Sequence, residues 1–376
     1  LSTLDLSTPL PTYPKDFRSG FASLVGRPNA GKSTLTNAMV GQKVAITSNR
    51  PQTTRHTIRG IVHKDEYQLI LVDTPGIHRP RTLLGERLND LVASTLSQVD
   101  VLGFCIPANE KIGPGDRYIA SQLVASSNKP VVAIVTKADT VSSEELREQL
   151  LAVEALGEEV MSAERAARAK RAAHRAKQKG KGPKGKGGKN DAVPFAKGSG
   201  PAAKRRAGEV SEPMPVDGKG GWAAIIPVSA VKHFQVDAVA DLLAQYTPLS
   251  PPLYPEGELT DEPEATLIAE LVREAALEGA REELPHSIAV TVEEMQFREG
   301  RPADNPLLDV HVNLFVERES QKYIIIGKGG SNLRKIGTKA REQIEAMLGT
   351  RIYLNIHVKV AKEWQSDARA LNRLGF

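Results

Sequence analysis

Short apolar runs alternate with stretches of helical period through the N-terminal part of the chain. Phe21 to Val25, Gln68 to Val72, Val99 to Ile106, Pro130 to Val135 and Trp222 to Val228 read as buried strands. Helical patterns fall between them, at about Thr34 to Val40, Leu83 to Gln98 and Asp116 to Ala125. A further helix opens at Ser142, placed as N-cap with Glu145 as its capping-box partner. It runs through Leu156, and the Ala/Arg/Lys-rich stretch Glu158 to Lys179 can extend it. Strands of this kind, alternating with helices, predict an α/β domain: a parallel-rich sheet wrapped by helices on both faces.

The pattern changes after the Pro-rich run Thr247 to Pro255, which reads as a stiff linker. A helix from about Glu264 to Glu278 precedes strands Ser287 to Phe297 and Leu308 to Val316. A glycine-interrupted helical region, Gln321 to Leu348, and a strand Ile352 to Val360 complete the order. This predicts a small α+β domain. The expected organisation is an N-terminal extension at 1–17, a first domain at 18–246, the linker at 247–260, and a second domain with a C-terminal tail at 261–376.

Composition alters this picture in one place. Between Gly157 and Gly221 stand 16 Lys/Arg and 7 Asp/Glu, a local balance of +9 within a chain whose formal net charge is +5. The rest therefore carries −4, and the basic character belongs to one segment. From Gly180 that segment turns to Gly, Lys, Pro and Ala, a composition unable to bury a core. It interrupts the first domain between a helix and the next strand. No apolar run is long enough to span a membrane. Leu1 to Phe17 lack a signal-peptide pattern, so secretion is not expected, and the absent initiating Met leaves two expectations, an upstream start or an alternative start codon translated literally. The single cysteine, Cys105, lies in an apolar run and reads as a small buried strand residue.

Candidate chemistry sits at the strand ends. Gly26-Arg27-Pro28-Asn29-Ala30-Gly31-Lys32-Ser33, with Thr34 entering the helix, matches the phosphate-binding G-x-x-x-x-G-K-[ST] between a strand and a helix. Its backbone N–H groups can curl around phosphates, Lys32 can reach the β- and γ-phosphates, and Ser33 can ligate Mg²⁺. Asp73-Thr74-Pro75-Gly76 follows a buried strand, where a metal-facing carboxylate and a γ-phosphate sensor belong. Thr136-Lys137-Ala138-Asp139 ends another strand, and the Asp139 carboxylate can accept both guanine N1–H and N2–H. Val228-Ser229-Ala230 would complete the base pocket.

Together these elements resemble the G motifs of translation-factor-related GTPases. The resemblance implies GTP/GDP and Mg²⁺ as ligands. It makes Gln52-Thr53-Thr54-Arg55-His56 the first switch, with Thr53, or its neighbour Thr54, closing on Mg²⁺. Lys32 and Thr53 become the transition-state and switch contacts. Thr136 replaces the usual Asn, which implies loss of an amide that braces the phosphate loop and a modest nucleotide affinity. Ile77 stands where Ras-type enzymes carry a water-orienting Gln, so no side-chain base is assigned and a slow intrinsic rate is expected. Asn29 resembles an asparagine that coordinates K⁺ in related GTPases; turn geometry is the alternative reason for it.

Tyr323-Ile324-Ile325-Ile326-Gly327-Lys328-Gly329-Gly330 resembles the core of a KH domain. Six basic and no acidic residues occupy Lys322 to Arg341, with Arg334 and Lys335 just beyond the loop. With one GTPase domain in front of a type II KH domain, the chain resembles the Era family of ribosome-assembly GTPases. Gly26-Arg27-Pro28-Asn29, Pro51 to His56, Glu283-Leu284-Pro285 and the ending Val358-Lys359-Val360 through Leu374-Gly375 carry that resemblance. It implies GTP hydrolysis and binding of small-subunit ribosomal RNA near its 3′ end. It also implies a role in small-subunit assembly, a monomer, a cytoplasmic location with peripheral contact at the inner membrane face, and no DNA partner. The alternative is an RNA-binding scaffold with a weak or non-hydrolysing GTPase domain. The insert at 157–221 has no counterpart in the compact family pattern.

Overall fold

The computed structural model describes residues 13–47, 55, 57–75, 82–126, 129–179, 221–278, 287–302 and 304–376, the side chains of 126 and 172–179 excepted. The first sheet contains β1 (Arg18–Val25), β2 (Ile58–His63), β3 (Tyr67–Asp73), β4 (Val101–Pro107), β5 (Val131–Thr136) and β6 (Ala224–Pro227). Their order is β2-β3-β1-β4-β5-β6, parallel throughout except for β2, which runs antiparallel to β3. Every residue of β3, β4 and β5 is buried, as their apolar runs require. Helices α1 (Lys32–Val40), α2 (Leu83–Gln98), α3 (Pro114–Ser126), α4 (Ser143–Lys179) and α5 (Val236–Ala244) cover the two faces.

The Ser142–Glu145 box caps α4: the Glu145 N–H donates to Ser142 Oγ at 3.3 Å, and the Ser142 N–H to Glu145 Oε2 at 2.8 Å. The chain returns to the core through Trp222, fully buried, whose Nε1 donates to the Val153 carbonyl at 2.8 Å. The Pro-rich run is a strap laid on the first domain, not a free spacer. The Leu253 and Tyr254 N–H groups donate to Gln68 Oε1 at 2.7 and 3.0 Å, and the Ile61 N–H to the Leu259 carbonyl at 2.9 Å.

The second domain comprises α6 (Glu264–Glu278), β7 (Ala289–Phe297), β8 (Leu307–Val316), α7 (Glu319–Ile326), α8 (Ser331–Leu348) and β9 (Arg351–Val360). β8 lies between an antiparallel β7 and a parallel β9, and one face of this sheet packs on the helices. The tail forms one more helix, α9 (Ala368–Arg373), which joins Trp364 in a cluster with Leu84 and Leu88 of α2.

Candidate nucleotide site and RNA-facing groove

The phosphate loop joins β1 to α1. Gly26 has no substitute there, because a Cβ would stand 2.5 Å from the Cys105 carbonyl oxygen. Asn29 and Gly31 both adopt left-handed backbone, φ 63° and 84°, which turns successive N–H groups inward. Asparagine tolerates that conformation, which is one reason for Asn29 here. Lys32 is buried and donates from Nζ to the carbonyls of Gly26 and Arg27 at 3.2 and 2.9 Å. Burial lowers its pKa and the nearby Asp73 opposes that shift. The Arg27 side chain turns away from the loop, pairing with buried Asp116 at 2.7 Å and with Glu110 at 3.1 Å. Only its backbone belongs to the site.

Ser33 Oγ donates to Asp73 Oδ2 at 2.7 Å, and Asp73 is fully buried at the end of β3. A hydroxyl and a carboxylate joined in this way are the hard oxygen donors that suit Mg²⁺. Thr74 donates from Oγ1 to the Leu24 carbonyl at 3.3 Å and tethers the following turn to β1. Gly76, Ile77, Gln52, Thr53, Thr54 and His56 lie outside the described residues, as does Glu283-Leu284-Pro285.

One expectation needs correction. Thr136 does not leave the phosphate loop unbraced: its buried hydroxyl donates to the Ala30 carbonyl at 2.8 Å. The side chain is short, but Thr136 packs close behind Gly31, so a hydroxyl spans the gap. Arg55, assigned to the first switch, is buried against the second domain. It donates from Nη1 to the Ile288 carbonyl at 2.6 Å, with the Trp364 and Phe376 rings 5.5 and 5.8 Å from its guanidinium. Burial, then the neighbouring Arg273, lowers its pKa, while Glu270 and Glu317 oppose.

At the base pocket, Ser229 Oγ donates to Asp139 Oδ1 at 2.5 Å and accepts the Lys232 N–H at 3.1 Å. Val228 ties this corner to the sheet, its N–H donating to Val135 and its carbonyl accepting from Ala138. Lys137, in left-handed backbone, lies 3.6 Å from Glu110. The Asp139 carboxylate is therefore oriented by the protein itself. Cys105 is buried in β4, where burial pushes its thiol up to about 12.

In the second domain, Gly327, Gly329 and Gly330 all have positive φ, and the tight turn they make brings α7 and α8 together. Asn332 Nδ2 caps α7 through the Ile324 and Ile325 carbonyls. Lys328 and Lys335 are exposed, and Ile326 is half-buried. Arg334 bends back, its Nη2 donating to the Gly329 carbonyl at 2.9 Å, so it stiffens the loop. A groove of about 480 Å³ opens beside the loop, between α8 and the β9 edge, lined by Arg334, Thr338, Arg341, Tyr353 and Asn355 among others. Tyr353 and Asn355 carry no sequence signal, because only the pairing of β9 brings them to the groove.

Comparison with known proteins accords with this geometry. The 50S ribosome-binding GTPase family profile matches residues 21–137, and the KH domain profile residues 283–365. GTPase Era of Streptomyces coelicolor is 56% identical over 359 residues, covering 96% of this chain and 95% of the relative. GTPase Era of Mycobacterium avium is 53% identical over 362 residues, covering 96% and 99%. An Aquifex aeolicus Era variant bound to GDP·AlF₄⁻ superposes with a TM-score of 0.74 at 29% identity, covering 96% of this chain and 99% of that one. Era in complex with MgGDPNP and nucleotides 1506–1542 of 16S ribosomal RNA gives 0.75 at 30%, with the same coverage.

Proposed function

The chain belongs to the Era family of GTPases, and we propose that it is a GTP-hydrolysing switch whose KH domain binds small-subunit ribosomal RNA during assembly of the small subunit and maturation of its RNA. One observation supports this: a single chain holds two hydrogen-bonded pairs at strand ends, Ser33–Asp73 and Ser229–Asp139, and a glycine loop bordering a groove lined by Arg334 and Arg341. Backbone N–H groups of 26–34, Pro28 excepted, hold the phosphates. Lys32 offsets charge that develops on the transferred phosphoryl group. Ser33, Thr53 and Asp73 hold Mg²⁺, which neutralises phosphate charge. Asp139 selects guanine, with Thr136, Lys137, Val228, Ser229 and Ala230 shaping the pocket, while Thr74, Pro75, Gly76 and Ile77 follow the γ-phosphate. Ile326 to Gly330 and Lys335 lie along the RNA backbone, held by Arg334. K⁺ at Asn29, a cytoplasmic location with peripheral membrane contact, and action as a monomer rest on the family resemblance alone.

The test is Gly329→Asp. This carboxylate would face phosphate, so RNA affinity is expected to fall at least about tenfold while GTP hydrolysis stays near the parent rate. RNA binding equal to that of the parent places the RNA site elsewhere.

A further inference from the structure

Helix α4 outruns the domain that supports it. Leu146, Leu150, Val153, Leu156 and Val160 pack it into the core. Farther along, Arg168 Nη2 reaches the Val124 carbonyl at 3.3 Å, near the end of α3. The helix nevertheless continues to Lys179. From Arg165 to Lys179 it carries 7 Lys/Arg and no acidic residue. Positions 165, 168, 171, 175 and 179 recur at steps of three or four and so share one helix face, over about 21 Å. Glu164 compensates the start of this stripe, accepting from Arg168 Nε at 2.9 Å and lying 3.7 Å from Arg171. Past it, like charges at i,i+4 oppose the helix, and a polyanion would relieve them.

The side chains narrow the choice of polyanion. From Ser162 to Lys179 nothing apolar is larger than alanine. The arm therefore lacks the Leu, Phe or Trp face that enters a bilayer and the seam that joins a partner helix. Arginine and lysine without an apolar face suit a phosphate backbone. The core-packed part of α4 lies against α3 and β6, and β6 is one edge of the first sheet. The KH domain docks toward the opposite edge, where Arg59 of β2 pairs with Asp261 at 2.7 Å.

We propose that the 165–179 half of α4 is a second RNA contact, a sequence-independent arm that grips phosphates away from the KH groove. This rests on RNA being the partner of the chain. Labelled RNA spanning nucleotides 1506–1542 of 16S ribosomal RNA, the stretch in the similar complex, and a shuffled RNA of equal length are titrated with the full chain from about 50 to 200 mM salt. One variant joins Lys170→Gln, Arg171→Gln, Arg175→Gln, Lys177→Gln and Lys179→Gln, glutamine being a good helix former. A second exchanges Lys and Arg at the same five positions and keeps the charge.

The Gln variant is expected to flatten the slope of log K against log salt by about 2 to 4 for both RNAs alike. The exchanged variant should keep the parent slope, and GTP hydrolysis and RNA preference should not change in either. An unchanged slope in the Gln variant overturns the proposal. So does an altered preference between the two RNAs, which would make the arm a reader. Loss of binding to phosphatidylserine vesicles with an intact RNA slope would give the arm to a membrane. If the parent binds neither RNA at any salt, the RNA reading itself has failed, a result distinct from all of these.

Discussion

Two side chains at the strand ends are the ones proposed to set what the nucleotide pocket holds and how firmly. Thr136 spends its hydroxyl on the Ala30 carbonyl, 2.8 Å away and out of water. Thr136→Val removes the donor while keeping the shape, and the orphaned carbonyl costs about 1 to 1.5 kcal/mol. GTP and GDP affinities should therefore fall together by about 5- to 10-fold, since both use the same loop. Thr136→Ser should stay near the parent. Titration with fluorescent nucleotide reads both, and a loss confined to GTP would mean that Thr136 acts on the γ-phosphate instead. Asp139, the proposed base-selecting residue, offers acceptors only, one oxygen steadied by Ser229 at 2.5 Å. In Asp139→Asn an amide donor faces the guanine N–H groups, which should weaken GTP about 10- to 100-fold. Xanthosine triphosphate, with a carbonyl where guanine has its amino group, should gain. GTP binding at the parent level by this variant would remove Asp139 from the pocket.

At the scale of elements, strands buried on both faces were legible, because β3, β4 and β5 each carry a nearly unbroken apolar run. β2 was not. Arg59 and Gly60 break its pattern, and it is a strand because its residues pair with β3, Ile58 opposite Asp73 through His63 opposite Gln68. The phosphate loop, the Asp73 corner and the KH glycines were legible for a different reason: each is a local run whose backbone geometry needs those residue types. Arg334 was read as an RNA contact because charge shows in a sequence and direction does not. The folded chain turns it onto the loop carbonyls. Arg55 shows the same limit, since a polar motif on an exposed loop and an arginine buried between domains look alike until the partner surface exists. The Pro-rich run read as a spacer because nothing local reveals that Gln68, far away in β3, accepts two of its N–H groups.

At the scale of the molecule, the two domains meet where the arm after α1 reaches α6. Glu274, almost fully buried, accepts the Thr47 N–H at 3.1 Å and the Thr47 hydroxyl at 3.0 Å through Oε1, and pairs with Lys43 through Oε2. Ile46 inserts into the core of the second domain beside them. Which bond matters can be decided on magnitudes. The Lys43 side chain is 34% exposed, so water screens the ion pair and its share is under about 1 kcal/mol. The Thr47 bonds are better shielded, and deleting their acceptor strands a donor pair at about 2 to 3 kcal/mol. Glu274→Gln keeps an oxygen for Thr47 and gives up only the charge, so it should cost less than about 1 kcal/mol. Glu274→Ala should cost about 2 to 3 kcal/mol in urea unfolding, and Thr47→Val should cost much less in that background than in the parent, as coupled neighbours do. If Gln costs as much as Ala, the ion pair with Lys43 holds the domains and the ranking is reversed. If the two changes simply add, Thr47 and Glu274 touch without depending on each other. The outcome bears on the switch, since Thr47 and Arg55 flank the proposed switch residue Thr53 and both are bonded to the second domain. A nucleotide that displaces either must work against those bonds, and by linkage whatever moves the KH domain returns the same free energy to the nucleotide site.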